Sequence, residues 1–323
     1  MKEPALLKPI KIKSSLGNYE VSFENPNKIY NLNNNDNENF FYLIDKNVRD
    51  IYYKNIPNKN VIELTISESI KTLSTVENII KKLRILGANK KSTLIVLGGG
   101  ISQDIGTLVA SIFMRGINWI LIPTTLLSMT DSCLGGKSSI NVDKFKNIAG
   151  NFYPPKKIMI YIKYCTSLDN SKVIEGLCEA IKIIYASSPE KFENLMSNFS
   201  FEEIKNLENL ENITYISLLN KKKFIEKDEF DKNIRLLLNF GHTFGHAIET
   251  ASNYQIPHGV AIGIGMLLAI NHSENKNVRN LEVLKTYIKV FLNQWDNLTK
   301  LLQLLKPTDI LEAFENDKKH FLK

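Results

Sequence analysis

Short apolar runs and helix-like periods alternate through the first half of this 323-residue chain. The runs at 41–45, 92–100 and 117–125 predict buried strands, and the apolar spacing over 74–86 and 104–116 predicts helices. Three consecutive glycines end the second run, immediately before the second helical stretch. A strand, a glycine turn, a helix and a further strand in this order are typical of a dinucleotide-binding α/β domain.

The pattern changes at about residue 165. Apolar positions then recur at helical period almost to the last residue, and strand-like alternation is nearly absent. We therefore expect a Rossmann-like α/β domain over 1–164 and an all-α domain over 165–323. Before the first apolar run, Gly17 and Asn18 predict the turn of a hairpin, and the asparagine-rich segment 31–40 predicts a surface loop.

Composition narrows the class of protein. Hydrophobic residues make up 43% of the chain and charged residues 23%, which is ordinary for a globular protein. No apolar stretch approaches the roughly 18 residues of a membrane span, and the N-terminus lacks a signal peptide's apolar core, so we expect a cytoplasmic protein that contacts no membrane. The net charge of +7 is spread along the chain without a basic stripe. This argues against nucleic acid and suits a small anionic ligand.

The glycine turn is the first candidate site. Gly98, Gly99 and Gly100 allow a backbone to approach a pyrophosphate, and Asp104 follows one turn later. Thr124 and Thr125 close the next predicted strand, at the edge where ligands of α/β sheets bind. A run of three glycines is also compatible with a simple tight turn.

The segment 129–147 is the second candidate. It contains Asp131, a Gly-Gly turn ending in Lys137, and the pair Lys146 and Asn147. Lysines beside glycines usually belong to a solvated loop. The same residues could also hold phosphate or carboxylate oxygens as charge-assisted donors.

The third candidate is the sequence RLLLNFGHTFGHAIE, followed by IPHG. His242 and His246 are one helical turn apart and share a face, and His258 follows closely. A single histidine is more often a packed core residue, but three together beside Arg235 and Asn239 favour a metal or anion site. Glu179 is the best carboxylate candidate, because it lies on an otherwise apolar helical segment. It could instead pair with Lys182.

Taken in order, the motifs GGG…D, MRG, PTTLL, DS…GGK, KN, EAIK, NFGHTFGHAIE and HG resemble those of 3-dehydroquinate synthases, within the sugar-phosphate cyclase superfamily. The resemblance runs from about Asp45 to Lys319. It implies a Rossmann-like NAD-binding domain followed by a helical domain that binds Zn²⁺ or Co²⁺ and an anionic sugar phosphate. It also implies a homodimer in which Arg115 reaches the neighbouring subunit's site.

The resemblance assigns roles residue by residue. The metal ligands would be Glu179, His242 and His258, which leaves His246 to the substrate. The NAD contacts would be Asp45, Asn47, Glu68, Lys71, Gly99, Gly100, Asp104, Thr124, Thr125, Asp131, Lys146 and Asn147. The substrate contacts would be Lys137, Asn147, Lys182, Lys221, Arg235, Asn239, His246 and Lys318.

Lys221, Arg235 and Asn239 match the pattern of enzymes whose substrate carries a carboxylate, which favours 3-dehydroquinate synthase. The alternatives are a cyclase of the 2-epi-5-epi-valiolone or 2-deoxy-scyllo-inosose synthase type, a metal-dependent NAD polyol dehydrogenase, and an inactive NAD-binding scaffold. Two departures stand out. Gln103 occupies a position that is usually glycine, and the chain stops shortly after Lys318, where family chains continue.

Overall fold

In a computed structural model, the chain forms two units, Met1–Tyr164 and Cys165–Lys323, whose architectures differ. The structure describes residues 7–27, 38–56, 59–143, 145–199, 203–272 and 280–315.

A seven-stranded sheet forms the centre of the first unit. Its strands are β1 (Ile10–Ile12), β2 (Tyr19–Phe23), β3 (Phe40–Asp45), β4 (Val61–Leu64), β5 (Thr93–Gly98), β6 (Asn118–Pro123) and β9 (Lys157–Ile160). They lie in the order β1-β2-β9-β6-β5-β3-β4, and only β1 pairs antiparallel. The four central residues of β5, Leu94 to Leu97, are fully buried, as expected for a parallel strand covered on both faces.

Within the described residues, the helices that connect these strands are α1 (Lys46–Tyr52), α2 (Leu73–Ile85) and α3 (Gly100–Ile112). The expectation of a hairpin at the start is met by β1 and β2, with Gly17 in a left-handed conformation between them. The asparagine-rich segment lies almost wholly outside the described residues. The expected strands and α2 appear within one to three residues of their predicted bounds.

Helix α3 differs from the prediction of 104–116. It begins at Gly100, because the third glycine already has helical backbone angles and Gly99 is the N-cap. It ends at Ile112, because Met114 and Arg115 have φ values of 51° and 63° and break the helical path. The periodicity predicted the helix correctly but placed it four residues too late.

Segment 129–147, for which a solvated loop was the simpler interpretation, contains regular structure. A π-helical turn (Ser128–Ser132) leads into β7 (Lys137–Val142) and β8 (Phe145–Phe152), which form a separate antiparallel pair. Lys137, Lys146 and Asn147 therefore lie on strands with a defined register, and Asp131 lies on the π-helical turn.

All elements in the described part of the second unit are helical. They are α4 (Asn170–Ser187), α5 (Pro189–Met196), α6 (Leu207–Lys227), a 3₁₀ turn (Ile234–Asn239), α7 (His242–Ala251), α8 (His258–His272), α9 (Leu281–Leu292), α10 (Asn297–Leu304) and α11 (Pro307–Glu315). Among the described residues, no helix is long and apolar enough to cross a bilayer.

Helices α7 and α8 approach each other closely through glycines. A Cβ atom on Gly265 would lie 2.1 Å from the Gly241 carbonyl oxygen and 2.6 Å from the Gly245 nitrogen. Only glycine fits this crossing. It brings the helix that carries His242 and His246 against the helix that begins with His258.

Candidate active site

The glycine turn of the first unit offers an open helix N-terminus. Gly99 caps α3 without any side-chain hydrogen bond to the helix. A Cβ on Gly99 would lie 2.9 Å from Thr125 Cγ2, whereas a Cβ on Gly100 would meet nothing within 4 Å. Gly99 is thus required for packing and Gly100 leaves space for a ligand. The helix N–H groups and dipole favour an anion here, which fits the pyrophosphate of a dinucleotide.

Two threonines line the end of the neighbouring strand. The Thr124 nitrogen donates to the Gly98 carbonyl at 3.0 Å and joins the ends of β5 and β6. Thr125 Oγ1 lies 2.8 Å from Ser128 Oγ, a residue that the sequence motifs did not single out. Ser128 begins the π-helical turn that carries the half-buried Asp131.

Gln103, the departure from the family pattern, is accommodated inside α3. Its side chain is buried, and its Nε2 donates to the Ser132 carbonyl oxygen at 2.7 Å. Its Oε1 accepts from Ser132 Oγ at 2.9 Å. The glutamine therefore ties the first turn of α3 to the turn that carries Asp131.

Asp104, Lys71 and Asn147 form one network. Lys71 Nζ lies 2.5 Å from Asp104 Oδ2 and 2.5 Å from Asn147 Oδ1. The Ser139 nitrogen donates to Asp104 Oδ1 at 3.1 Å. Burial raises the pKa of Asp104, and the charge and hydrogen bond of Lys71 offset this only in part.

The network continues to Glu68 through Asn141. The Asn141 side-chain amide donates to Glu68 Oε1 at 2.8 Å, and the Asn147 nitrogen donates to Asn141 Oδ1 at 2.9 Å. Lys146 Nζ lies 3.6 Å from the same Glu68 oxygen. Five predicted NAD contacts thus come together, with Ser139 and Asn141 as members that the motifs missed. Their spacing from Lys137 along β7, two and four residues, was the available signal.

The remaining predicted residues of this unit are more dispersed. Asp45 caps α1 by accepting from the Asn47 nitrogen at 2.9 Å, and burial raises its pKa. Lys137 is exposed, with Nζ 6.0 Å from the centre of the Phe152 ring. Arg115 is also exposed, on a turn whose carbonyl groups accept hydrogen bonds from Lys90.

Three imidazoles cluster in the second unit. The nearest ring nitrogens of His242, His246 and His258 lie within 4.8 Å of one another. The ring centres are 5.3–5.7 Å apart. The close α7–α8 crossing produces this arrangement, and all three rings are half-buried.

Glu179 adds a carboxylate to this cluster. Its side chain is fully buried on α4, and Oε2 pairs with Lys182 as the sequence analysis allowed. Oε1 has no hydrogen-bond partner among the residues that the structure describes, and it lies 3.8 Å from His258 Nε2. Two ligands of one Zn²⁺ ion, each about 2.0–2.2 Å from it, can be no more than about 4.4 Å apart. The separation of Glu179 Oε1 and His258 Nε2 lies within this limit. One carboxylate and three neighbouring imidazoles are also the donor types that suit a divalent cation such as Zn²⁺ or Co²⁺.

The start of α8 is held by a second glutamate. Glu175 Oε1 accepts from the Gly259 nitrogen at 3.4 Å, one helical turn before Glu179 on α4. Burial by itself would lower the pKa of His258. The hydrogen bond and charge of Glu249, with the charges of Glu179 and Glu175, outweigh burial, so the net effect is a raised pKa.

Three cations are buried on elements that pack together. Lys182, Lys221 and Arg235 are only 2–4% exposed and lie on α4, α6 and the 3₁₀ turn. The apolar side chains of Ile183, Phe224 and Leu238 join these three elements. Lys182 is paired with Glu179, and the charge of Arg235 acts on the carboxylate of Asp228.

Asp228 organises the loop that carries Arg235. Its carboxylate accepts from the backbone nitrogens of Lys232, Asn233 and Arg235 at 2.6–3.1 Å. These hydrogen bonds lower its pKa, that from Lys232 most strongly. Arg235 Nη1 also donates to the Glu229 carbonyl oxygen at 2.6 Å, and Asn239 lies half-buried at the end of the turn.

Comparison with known proteins identifies the family. The family model for the N-terminal part of 3-dehydroquinate synthase matches residues 61–175, and that for the C-terminal part matches residues 176–320. A 3-dehydroquinate synthase from Dictyoglomus turgidum is 38% identical over 284 residues, which cover 87% of this chain and 79% of that protein. The chain belongs to the 3-dehydroquinate synthase family. A member from Saccharolobus solfataricus is 33% identical, over 84% of this chain and 78% of its own length.

Solved structures confirm the fold expected of the family. A 2-deoxy-scyllo-inosose synthase complexed with carbaglucose-6-phosphate, NAD⁺ and Co²⁺ aligns with a TM-score of 0.82 and 24% identity, covering 97% of this chain and 89% of that one. The 2-epi-5-epi-valiolone synthase of Streptomyces hygroscopicus, with NAD⁺ and Zn²⁺ bound, aligns with a TM-score of 0.76 and 21% identity, over 98% and 89% of the two chains.

The predicted site residues of this family member thus fall into three groups. The network around Asp104 and the cluster around Glu179 are assembled within their own units. Asp45 lies beside the glycine turn, with its Cβ 3.5 Å from the position of a Cβ built on Gly98, and Asn47, Arg115 and Lys137 are exposed. Lys318 lies outside the described residues.

Proposed function

We propose that this protein is a 3-dehydroquinate synthase, which converts 3-deoxy-arabino-heptulosonate 7-phosphate into 3-dehydroquinate and phosphate. Family membership supports this activity. The observation that carries it within the structure is the fully buried Glu179. Its Oε1 has no hydrogen bond from any described residue and lies 3.8 Å from Nε2 of His258, one of three clustered imidazoles. Such an oxygen is costly unless a cation satisfies it.

Glu179, His242 and His258 would hold Zn²⁺ or Co²⁺, and the turn at Gly99 and Gly100 would hold the pyrophosphate of NAD. The chemistry that these groups supply when bound is Lewis-acid polarisation of an alcohol and the uptake and return of one hydride. NAD is therefore unchanged in the net reaction, and the reaction class is a phosphate-eliminating lyase. The residues around Asp104 would form hydrogen bonds to the other polar groups of NAD.

The protein's own side chains have mainly an electrostatic task, because the substrate carries both a carboxylate and a phosphate. Arg235 can bind a carboxylate through two parallel hydrogen bonds, with Lys221 and Asn239 as further donors. Lys182 is held at Glu179 and can donate to a substrate oxygen near the metal ligands. His246, Lys137, Asn147 and Lys318 complete the proposed substrate contacts. The family resemblance supports a homodimer in which Arg115 reaches the partner's site.

A cyclase acting on a neutral sugar phosphate is the second candidate, since the similar solved structures include two such enzymes. The two activities differ in whether the substrate carries a carboxylate. The match of Lys221, Arg235 and Asn239 to the pattern of enzymes with a carboxylate-bearing substrate favours the acidic substrate, because an arginine can bind a carboxylate through two parallel hydrogen bonds.

Phosphate release from two substrates tests the proposal. Purified protein with NAD and Zn²⁺ or Co²⁺ is given either 3-deoxy-arabino-heptulosonate 7-phosphate or sedoheptulose 7-phosphate, and released phosphate and NADH absorbance are followed. We expect release from the sugar acid alone, without accumulation of NADH. Release from sedoheptulose 7-phosphate alone would assign the protein to the neutral-substrate cyclases, and stoichiometric NADH would indicate a dehydrogenase.

A further inference from the structure

Glu249 lies behind the candidate metal ligands and has no role in the assignments above. We propose that it is a positioning residue, which fixes the tautomer and direction of the His258 imidazole so that Nε2 is presented to the cation. This inference rests on the metal-binding part of the proposed function. It does not depend on which substrate the protein uses.

Helix geometry places Glu249 on the histidine face of α7. Residues 242, 246 and 249 are spaced by four and three positions, so they share one face. That face meets α8 at the crossing formed by Gly241, Gly245 and Gly265. Glu249 Oε2 lies 2.9 Å from His258 Nδ1, and the glutamate side chain is only 19% exposed.

The chemistry of the two groups determines the proton's location. A carboxylate can only accept a hydrogen bond, so Nδ1 of a neutral His258 must carry the proton. Its lone pair is then on Nε2, the atom that lies 3.8 Å from Glu179 Oε1. A carboxylate that holds the far nitrogen of a metal-bound imidazole also increases the basicity of the near one.

The Glu179–His258 distance supports this direction independently. At 3.8 Å the two atoms form no hydrogen bond, and no other described residue donates to Glu179 Oε1. Their separation is one that two ligands of a single zinc ion can have. His242 has a related arrangement, since its Nδ1 lies 3.3 Å from the Phe240 carbonyl oxygen.

The competing interpretation is an ion pair, in which Glu249 merely neutralises a protonated His258. Both interpretations predict a short Nδ1–Oε2 contact. They differ in the effect on metal affinity that each predicts when Glu249 is replaced. Positioning predicts weaker metal binding, whereas a protonated histidine competes with the metal, so removing Glu249 would leave metal binding equal or stronger.

The tautomer can be observed in the metal-free wild-type protein by ¹⁵N NMR of the histidine rings, well above the ordinary imidazole pKa. The chain has only five histidines, and a His258→Gln variant assigns the signal. We expect the Nδ1–H tautomer for His258. An Nε2–H tautomer would overturn the proposal, whatever the activity of the protein.

The second test measures metal affinity, by titrating the protein with Co²⁺ and following the visible absorption band. We expect Glu249→Ala to lose about 10- to 100-fold in affinity, as loss of such an outer carboxylate commonly does. Glu249→Gln should lose less, because its amide oxygen can still accept from Nδ1. Glu282→Gln, at a glutamate that is 82% exposed, is the matched control and should bind as wild type.

Unchanged or stronger Co²⁺ binding by Glu249→Ala would reject the positioning role. Circular dichroism verifies that each variant is folded, and if the alanine variant is not, Glu249→Gln and the wild-type tautomer decide the question. If the wild-type protein bound Co²⁺ normally but released no phosphate, the proposed function would be contradicted and this inference would stand.

Discussion

The Asp104 network and the Glu179 cluster differ in whether their polar groups are satisfied by other residues of the chain. In the first unit, Lys71 Nζ lies 2.5 Å from both Asp104 Oδ2 and Asn147 Oδ1. In the second, the buried Glu179 Oε1 lies 3.8 Å from His258 Nε2 and has no hydrogen bond from any described residue. The polar groups of the first arrangement thus satisfy one another, whereas none of the described residues satisfies this carboxylate oxygen of the second. We infer that the cofactor side is preorganised by internal bonds and that the metal side is stabilised by what it binds.

The largest expected effect comes from removing a proposed metal ligand of the Glu179 cluster. We expect His258→Ala to lose metal and activity together, by about 100-fold or more, because Lewis-acid assistance is worth several kcal/mol. Metal content by elemental analysis and phosphate release measure the two losses. His272→Ala, at the exposed opposite end of the same helix, is the control and should retain both. Full metal occupancy in His258→Ala would remove this histidine from the ligand set.

Arg235→Ala should come next. Truncating one partner of a buried, hydrogen-bonded charge pair costs about 2–5 kcal/mol, so we expect the substrate KM to rise about 30-fold or more. NAD affinity, measured by fluorescence quenching, should change little. Arg235→Lys should recover only part of the loss, since lysine cannot form two parallel hydrogen bonds. Arg84→Ala, at an exposed arginine, serves as control. Equal losses of substrate and NAD binding would argue against a carboxylate contact.

Lys71→Met tests the first arrangement. It removes the cation between Asp104 and Asn147, and a hydrogen bond to a charged group is worth about 1.5–3 kcal/mol. We expect NAD affinity to fall about tenfold or more while Co²⁺ affinity is unchanged. Lys81→Met, at an exposed lysine paired with Glu77, is the matched control. A loss of Co²⁺ affinity in Lys71→Met would contradict the expectation that the Asp104 network affects NAD binding but not metal binding.

The smallest effect concerns Asp228 and pH. Hydrogen bonds from the Lys232, Asn233 and Arg235 nitrogens hold its folded-state pKa below the ordinary value of 3.8. Its contribution to the free energy of unfolding is therefore present above pH 3.8 and is lost as pH falls through the lower, folded-state pKa. We expect Asp228→Asn to be less stable than wild type near neutral pH and to lose this difference in acid. Urea unfolding at several pH values measures it, and a difference independent of pH would exclude the carboxylate's charge as its cause.

Local patterns predicted the elements well where one period dominated. The apolar runs predicted β3, β5 and β6, and the helical period of the second half predicted an all-helical unit. Segment 129–147 was harder, because alternation in β7 and β8 is weak and their pairing is a tertiary property. The bounds of α3 were missed since the glycines could equally be read as a loop or as the first helical turn.

The residues themselves indicated three candidate sites: the glycine turn with its threonines, segment 129–147, and the histidines with Glu179, Arg235 and Asn239. The family resemblance added the others and assigned the roles. Ser139 and Asn141 were missed although their spacing from Lys137 along β7 was a signal, and Asp228 and Glu249 were missed because they act through contacts that residue types alone do not reveal. Glu249 shows this well. Its partner His258 lies on another helix, and no pattern within α7 indicates the contact.

Anomalous diffraction from crystals of the protein soaked in Zn²⁺ tests the central claim most directly. The account predicts one strong peak bound by Glu179 Oε1 and by nitrogens of His242 and His258, each at about 2.0–2.2 Å. A peak elsewhere, with the buried Glu179 oxygen still without a cation, would contradict it.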